Sequence, residues 1–202
     1  MPRLSTGSPV AVSVLVFGLL AGPLGAGLNT WTTTGPESGR VEQIVVDPVN
    51  PANIYFLTPY GGVFKTSNGG LTWRQANRGN TSISAVHLAV DPRTPTTLYV
   101  AAESQGVFKT VDSAESWRPA NVGLSGVVVS NIAVDPVNAQ RIYAGTTQHG
   151  VYKSADGGAS WTPANNGLSA PIEAIAVDPN TVKCSQSSGT VHFIADVTGY
   201  FE

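Results

Sequence analysis

Hydrolysis of a glycosidic bond needs two carboxyl groups, one to donate a proton and one to attack carbon or activate water. Asp112 and Asp156 stand 44 residues apart inside related phrases that recur along the chain. Glu103 and Glu173 are the acidic residues left for such a role in connecting loops, a thin basis for catalysis. His87, His149 and His192 occur singly, with no Cys or carboxylate at ligand spacing, so no metal site is expected. Cys184 is alone, which rules out an internal disulfide, and no cluster of His, Lys or Arg defines a pocket that would favour its thiolate. The arginines, Arg3, Arg40, Arg74, Arg78, Arg93, Arg118 and Arg141, form no anion-binding triad. No catalytic residue and no cofactor is assigned.

The elements that carry these residues follow from self-similarity. Asp-Pro recurs at Asp47, Asp91, Asp135 and Asp178, and Trp at Trp73, Trp117 and Trp161, with a shared period of 43 or 44 residues. Ile54-Tyr55, Leu98-Tyr99 and Ile142-Tyr143 return in step, as do Gly62-Val63-Phe64-Lys65, Gly106-Val107-Phe108-Lys109 and Gly150-Val151-Tyr152-Lys153. Each unit holds four short runs of strand character, at 41–46, 54–58, 63–66 and 72–76 in the first, separated by Pro, Asn and Gly. Four strands in about 44 residues is the length of one propeller blade. Leucine-rich and β-helix solenoids repeat at shorter periods.

The composition fits. Among 202 residues, 42% are hydrophobic and 12% charged, so a core can form and disorder is excluded; 22 Gly and 14 Pro favour strands and tight turns over helices. A net charge of -2 without like-charge runs offers neither a nucleic-acid footprint nor a polybasic membrane patch.

Two phrases match the pattern S-x-D-G-G-x-S/T-W. The first runs from Thr66 to Trp73 through Asn68, Gly69 and Gly70, and the second from Ser154 to Trp161 through Asp156, Gly157 and Gly158. A third, Thr110 to Trp117, keeps Asp112 and Trp117 but has Ser113-Ala114 in place of both glycines. The Asp or Asn side chain is expected to accept backbone N–H groups across a hairpin turn, with Gly supplying positive φ. The Trp ring is expected to be buried between blades. The turn lacking glycines is expected to be the least rigid.

On these motifs residues 28–180 resemble the BNR/Asp-box propellers, which include sialidases, xyloglucanase-type glycoside hydrolases, sortilin-type receptors and photosystem assembly factors of the Ycf48 type. The resemblance implies an all-β Asp-box β-propeller of three complete four-stranded blades plus a partial or degenerate fourth. It places the box on the turn between the third and fourth strands, away from ligand sites, and so makes Asp112 and Asp156 structural. It does not supply an activity. Sialidase chemistry would need an arginine triad and a Phe-Arg-Ile-Pro-like segment, and neither is present.

The two ends read differently. Arg3, an apolar run over 10–28 and the small residues Gly25, Ala26 and Gly27 have the layout of a secretory signal over 1–27. The alternative is an uncleaved anchor, since the run approaches the roughly 20 residues that span a bilayer. Either way the rest of the chain is expected to be secreted or extracytoplasmic. After residue 180 the repeat decays, and 188–201 resemble the closing segment of another secreted bacterial β-repeat. A fourth blade could be assembled from 173–177, 181–184, 190–197 and an N-terminal strand over 29–33 containing Trp31; the alternative is an open arc prone to self-association. The expected function is a non-catalytic binding or scaffold module for an unidentified protein or glycan. Its candidate contact residues are Tyr60, Arg78, Gln105, Gln148 and His149, on loops opposite the boxes. The alternative is a fragment of a carbohydrate-active enzyme.

Overall fold

A computed structural model describes residues 40–80, 84–165, 168, 171–178, 181–186 and 191–196. The expected signal or anchor segment, the Trp31 strand and residues 197–201 lie outside the described residues. Runs of β-branched and aromatic residues, cut by Pro, Asn and Gly, form fifteen strands among the described residues, and no helix occurs there. The first antiparallel sheet orders β1 (Gln43–Val46), β2 (Ile54–Thr58), β3 (Gly62–Thr66) and β4 (Arg74–Gln75) in sequence. The second repeats this with β5 (Ala85–Val90), β6 (Leu98–Ala102), β7 (Gly106–Thr110) and β8 (Arg118–Pro119). The third uses β9 (Val129–Val134), β10 (Ile142–Thr146), β11 (Val151–Ser154) and β12 (Thr162–Pro163). A three-stranded sheet of β13 (Ile172–Val177), β14 (Thr181–Gln186) and β15 (Val191–Asp196) follows.

Side chains alternate across each strand, so neighbouring residues serve different interfaces. Tyr55, Leu57, Val63 and Ala76 of the first sheet meet Leu88, Leu98, Val100, Phe108 and Trp117 of the second in one core. Tyr99, Ala101, Val107 and Ala120 leave the other face of the second sheet and meet Ile132, Ile142, Ala144 and Trp161 of the third. Tyr143 and Val151 then meet Ile172, Val182 and Cys184 of the fourth. The sheets therefore pack face to face in chain order, with β1, β5, β9 and β13 as successive neighbours along the inner side.

Inner strands must satisfy backbone groups that face another sheet instead of a paired strand. One position per repeat does this. Gln43 donates from Nε2 to Leu88 O at 3.0 Å and accepts from Leu88 N at 2.7 Å. Asn131 donates from Nδ2 to Ile172 O at 2.8 Å, and His87 Nδ1 accepts from Ile132 N at 3.4 Å.

Two sequence expectations are corrected. The outer strands are two residues long rather than the 72–76 run expected, because Thr72 N is spent on Asn68 Oδ1 within the turn. Pro119 and Pro163, which have no N–H to donate, likewise end β8 and β12. Trp117 and Trp161 are 3% exposed between sheets, but Trp73 is only half-buried. It lies edge-on against Phe56 at 4.7 Å, on the sheet face that no preceding described sheet covers.

These differences set two outcomes. Trp117→Ala should cost about 3–5 kcal/mol in chemical denaturation, as for a buried aromatic, and Trp73→Ala less than about 2 kcal/mol; equal losses would contradict the packing. Burial holds His87 down at about 4 against an ordinary value of 6.5. The unfolded chain thus binds the extra proton first, and stability contributed by neutral His87 is complete above pH 6.5 and lost as pH falls toward 4. The loss should approach about 3 kcal/mol. His87→Asn, which installs the residue found at position 131, should flatten the stability profile over that window.

Candidate binding rim

The Asn68, Asp112 and Asp156 turns connect the third and fourth strands of their sheets and share one hydrogen-bond scheme. Asp112 Oδ1 accepts from Thr110 Oγ1 at 2.6 Å and from Ser116 N at 2.9 Å, while Oδ2 accepts from Ser116 Oγ at 2.6 Å. Asp156 accepts from Ser154 Oγ at 2.7 Å and Ser160 N at 2.9 Å. Asn68 Oδ1 accepts from Thr66 Oγ1 at 2.8 Å and Thr72 N at 3.0 Å. The Ser116 hydroxyl, then Thr110, holds the Asp112 carboxyl far below the usual carboxylate range, and the Ser160 hydroxyl brings Asp156 to about 2. Such carboxylates stay ionised with their lone pairs engaged, and are poor proton donors.

The Asp112 and Asp156 turns also lock their sheets to the one before. Trp117 donates from Nε1 to Ala76 O at 2.7 Å and from its backbone N to Arg78 O at 2.8 Å. Trp161 does the same to Ala120 O and Val122 O, both at 2.8 Å. A Cβ on Gly79 would lie 2.2 Å from Trp117 O, and one on Gly123 2.1 Å from Trp161 O, so only glycine lets the chains come this close. In the opposite direction Lys65 Nζ donates to Ser113 O and Lys109 Nζ to Gly157 O, each at 2.8 Å.

The expectation that glycine loss loosens the middle turn is not met in hydrogen bonding: Ser113 and Ala114 adopt φ 60° and 65°, close to Gly69 at 68° and Gly157 at 70°. Gly70 and Gly158 are likewise left-handed, at 94° and 87°. The turn keeps its bonds at the expense of two strained residues, and Ala114 puts its methyl into the core between the first two sheets.

On the opposite rim lie the turns joining the second and third strands. Tyr60 is 86% exposed in the first; Gln105 is exposed in the second, and Gln148 and His149 in the third. Arg78 is exposed in the connection from β4 to β5, where its carbonyl serves Trp117. One asparagine per sheet braces these turns. Asn77 accepts Val63 N at 2.8 Å and donates to Gly61 O at 2.7 Å. Asn121 accepts Val107 N at 2.6 Å and donates to Gln105 O at 2.8 Å; Asn165 accepts Val151 N at 2.6 Å and donates to His149 O at 2.8 Å. The sequence reading missed these braces, although Ala-Asn recurs at 76, 120 and 164 with the same period.

The structure brings Tyr60 and Glu103 to one cleft of about 300 Å³, with Glu42, Pro59, Ser84 and Val86 completing much of its wall. Glu103 accepts from Ser84 Oγ at 2.8 Å and Glu42 pairs with Arg40 at 2.9 Å. Glu173, on β13 of the fourth sheet, does not line this cleft, and neither do Gln105, Gln148, His149 or Arg78. The Glu42 and Glu103 carboxylates can accept hydrogen bonds from a polar ligand, and the exposed Tyr60 ring can stack on its apolar face. Among the described residues no group of His, Cys, Asp and Glu could hold a metal ion.

Neither a protein-family model nor any curated protein matches the chain. Solved structures do. A GH74 enzyme from Niastella koreensis superposes with a TM-score of 0.61 at 22% identity over 77% of this chain and 30% of its own. YCF48 from Cyanidioschyzon merolae gives 0.59 at 14% over 76% and 50%, and a YCF48 bound to D1 peptide gives 0.53 at 13% over 73% and 48%. The fold is that of a β-propeller. The chain spans half or less of the length of these propellers, and at such identities the likeness extends to the fold alone.

Strain in the middle turn is measurable. Ser113→Gly should stabilise the propeller sheets by about 1 kcal/mol, since a left-handed non-glycine residue costs about 1–2 kcal/mol. Ala114→Gly relieves similar strain but gives up a buried methyl of about 0.8 kcal/mol, so its denaturation midpoint should hardly move.

Proposed function

We propose that this chain is an Asp-box propeller unit, exported from its cell, that binds a protein or glycan partner non-catalytically through the rim opposite the Asn68, Asp112 and Asp156 turns. The supporting observation is the division of labour between rims: one is consumed by turn and inter-sheet bonds, while the other holds Tyr60, Gln105, Gln148 and His149 outward on braced turns. Preorganised loops lose little entropy on binding. A YCF48 propeller bound to D1 peptide shows that this fold can present a surface to another polypeptide. Export rests on the apolar layout of residues 1–27 and should appear as a mature chain shortened by about that segment in a mass measurement.

A second reading, a fragment of a carbohydrate-active enzyme, draws on the Glu42 and Glu103 carboxylates sharing a cleft and on the GH74 likeness. Two experiments separate them. In a screen of immobilised chain against glycans and peptides, Tyr60→Ala/His149→Ala should weaken at least tenfold whatever the wild type retains, while Arg118→Ala, on β8, should not. Unchanged binding by the double variant would refute the rim assignment. Turnover of a glycan that disappears with Glu103→Gln would instead establish the enzymatic reading.

A further inference from the structure

The joints between sheets repeat one charged device, and the second joint lacks a part of it. Where the first sheet meets the turn of the second, Lys65 Nζ donates to Ser113 O at 2.8 Å and to Glu115 Oε1 at 3.1 Å, and the Arg74 guanidinium shares that carboxylate oxygen. Lys65 is 7% exposed as a result. Where the second sheet meets the turn of the third, Lys109 takes the equivalent seat. Its Nζ donates to Gly157 O at 2.8 Å and lies 5.4 Å over the Tyr99 ring, as Lys65 lies 5.8 Å over Tyr55. Arg118 pairs across the strands with Lys109 as Arg74 does with Lys65. The residue corresponding to Glu115, however, is Ala159. Among the described residues no carboxylate forms an ion pair with Lys109 or Arg118. Lys109 is half-buried and Arg118 exposed.

Lys109, Arg118 and Ala159 line one groove of about 400 Å³. Its other walls have also changed in kind, since Val111, Pro119 and Val122 line it where the first joint has Ser67, Gln75 and Arg78. Val111 is 65% and Val122 69% exposed. Asp112 and Asp156 reach the groove as well, but turn hydroxyls and backbone N–H groups occupy their oxygens. A further carboxylate beside the Asp156 turn has a precedent, because Glu115 belongs to the same turn as Asp112. The charge without a precedent is Asp112 itself, whose counterpart in the first joint is Asn68.

We propose that this groove binds an acidic side chain of a polypeptide partner, with the carboxylate in the place Glu115 fills at the first joint and aliphatic neighbours against Val111, Pro119 and Val122. The occupant is argued from the chain's own example: an ammonium and a guanidinium are set as they are around Glu115, and only the acceptor is missing. The apolar walls favour a peptide over a uronic sugar, whose hydroxyls would lose water there without gaining a partner. Because the pair is exposed, one acidic residue binds on the order of millimolar, below what immobilised chain retains. The groove stands apart from the Tyr60 rim, and the two sites fail independently.

The test titrates the full chain in solution with the end-blocked tripeptide Val-Glu-Val, following backbone amide resonances by NMR. Saturable shifts should appear at Arg118, Val122 and Ala159, and Val-Gln-Val should bind at least about fivefold more weakly, as should Val-Glu-Val to Arg118→Gln. Ala159→Glu, which supplies the missing carboxylate from within, should abolish binding. Asp112→Asn keeps the acceptor that Asn68 uses in its turn and should tighten binding about twofold to threefold. Tyr60→Ala/His149→Ala should bind the tripeptide as the wild type does. Circular dichroism checks each fold, and if Ala159→Glu unfolds, Arg118→Gln decides. Equal binding of Val-Gln-Val, binding that survives a folded Ala159→Glu, or no saturable shift would each overturn the proposal. Glucuronate binding as tightly as the tripeptide would overturn it in favour of a glycan, and loss of binding in the Tyr60→Ala/His149→Ala chain would move the peptide to the rim.

Discussion

The sheets of this propeller are held in series by one recurring exchange: the carbonyl at the end of an outer strand is taken by the indole N–H of the next repeat. Ala76 O goes to Trp117 and Ala120 O to Trp161. A two-residue outer strand has little pairing of its own, so its position depends on this capture and on the neighbouring backbone bond from the same tryptophan. Burial of the ring and satisfaction of its N–H are achieved in one place, and an indole needs both when it leaves water. The turn that precedes each tryptophan aims it, and the Lys from the sheet before fastens that turn in return.

Much of this was legible because the chain writes the same unit three times. The Asp-Pro and Trp periods located the sheets, and the Ile-Tyr and Gly-Val-Phe-Lys phrases located their middle strands. What escaped had a physical reason in each case. Gln43, His87 and Asn131 look unrelated as residue types, yet any of them can serve a backbone group of the next inner strand, so chemical identity hid a shared role. Asn77, Asn121 and Asn165 were visible as a period, but their bonds run to a turn 14 or 16 residues earlier, a proximity that exists only after the strands pair. Trp73 carries the same local signal as Trp117, and only the packing of the folded sheets separates its half-buried ring from the buried one.

The candidate site was legible in part. Loop residues that vary within a constant frame were a sound guide to outward-facing positions, and Tyr60 shows it. Glu42 was missed because it lies at the start of an inner strand, where a sequence reading looks for core residues; the connection from the first sheet to the second brings Ser84 and Val86 across to it. Conversely, Glu103 and Glu173 look alike in sequence but sit on different sheets, and a pair of carboxylates was not to be found between them.

The tryptophan exchange is also directional in time. Ala76 and Ala120 are made 41 residues before the side chains that secure them. During synthesis from the N-terminus, each outer strand therefore stays unfastened until the following unit has left the ribosome, and each unit's arrival completes its predecessor rather than itself. Growth by this rule leaves only the newest outer strand waiting for its fastening, so the stretch of chain that waits is one period long however many units are added.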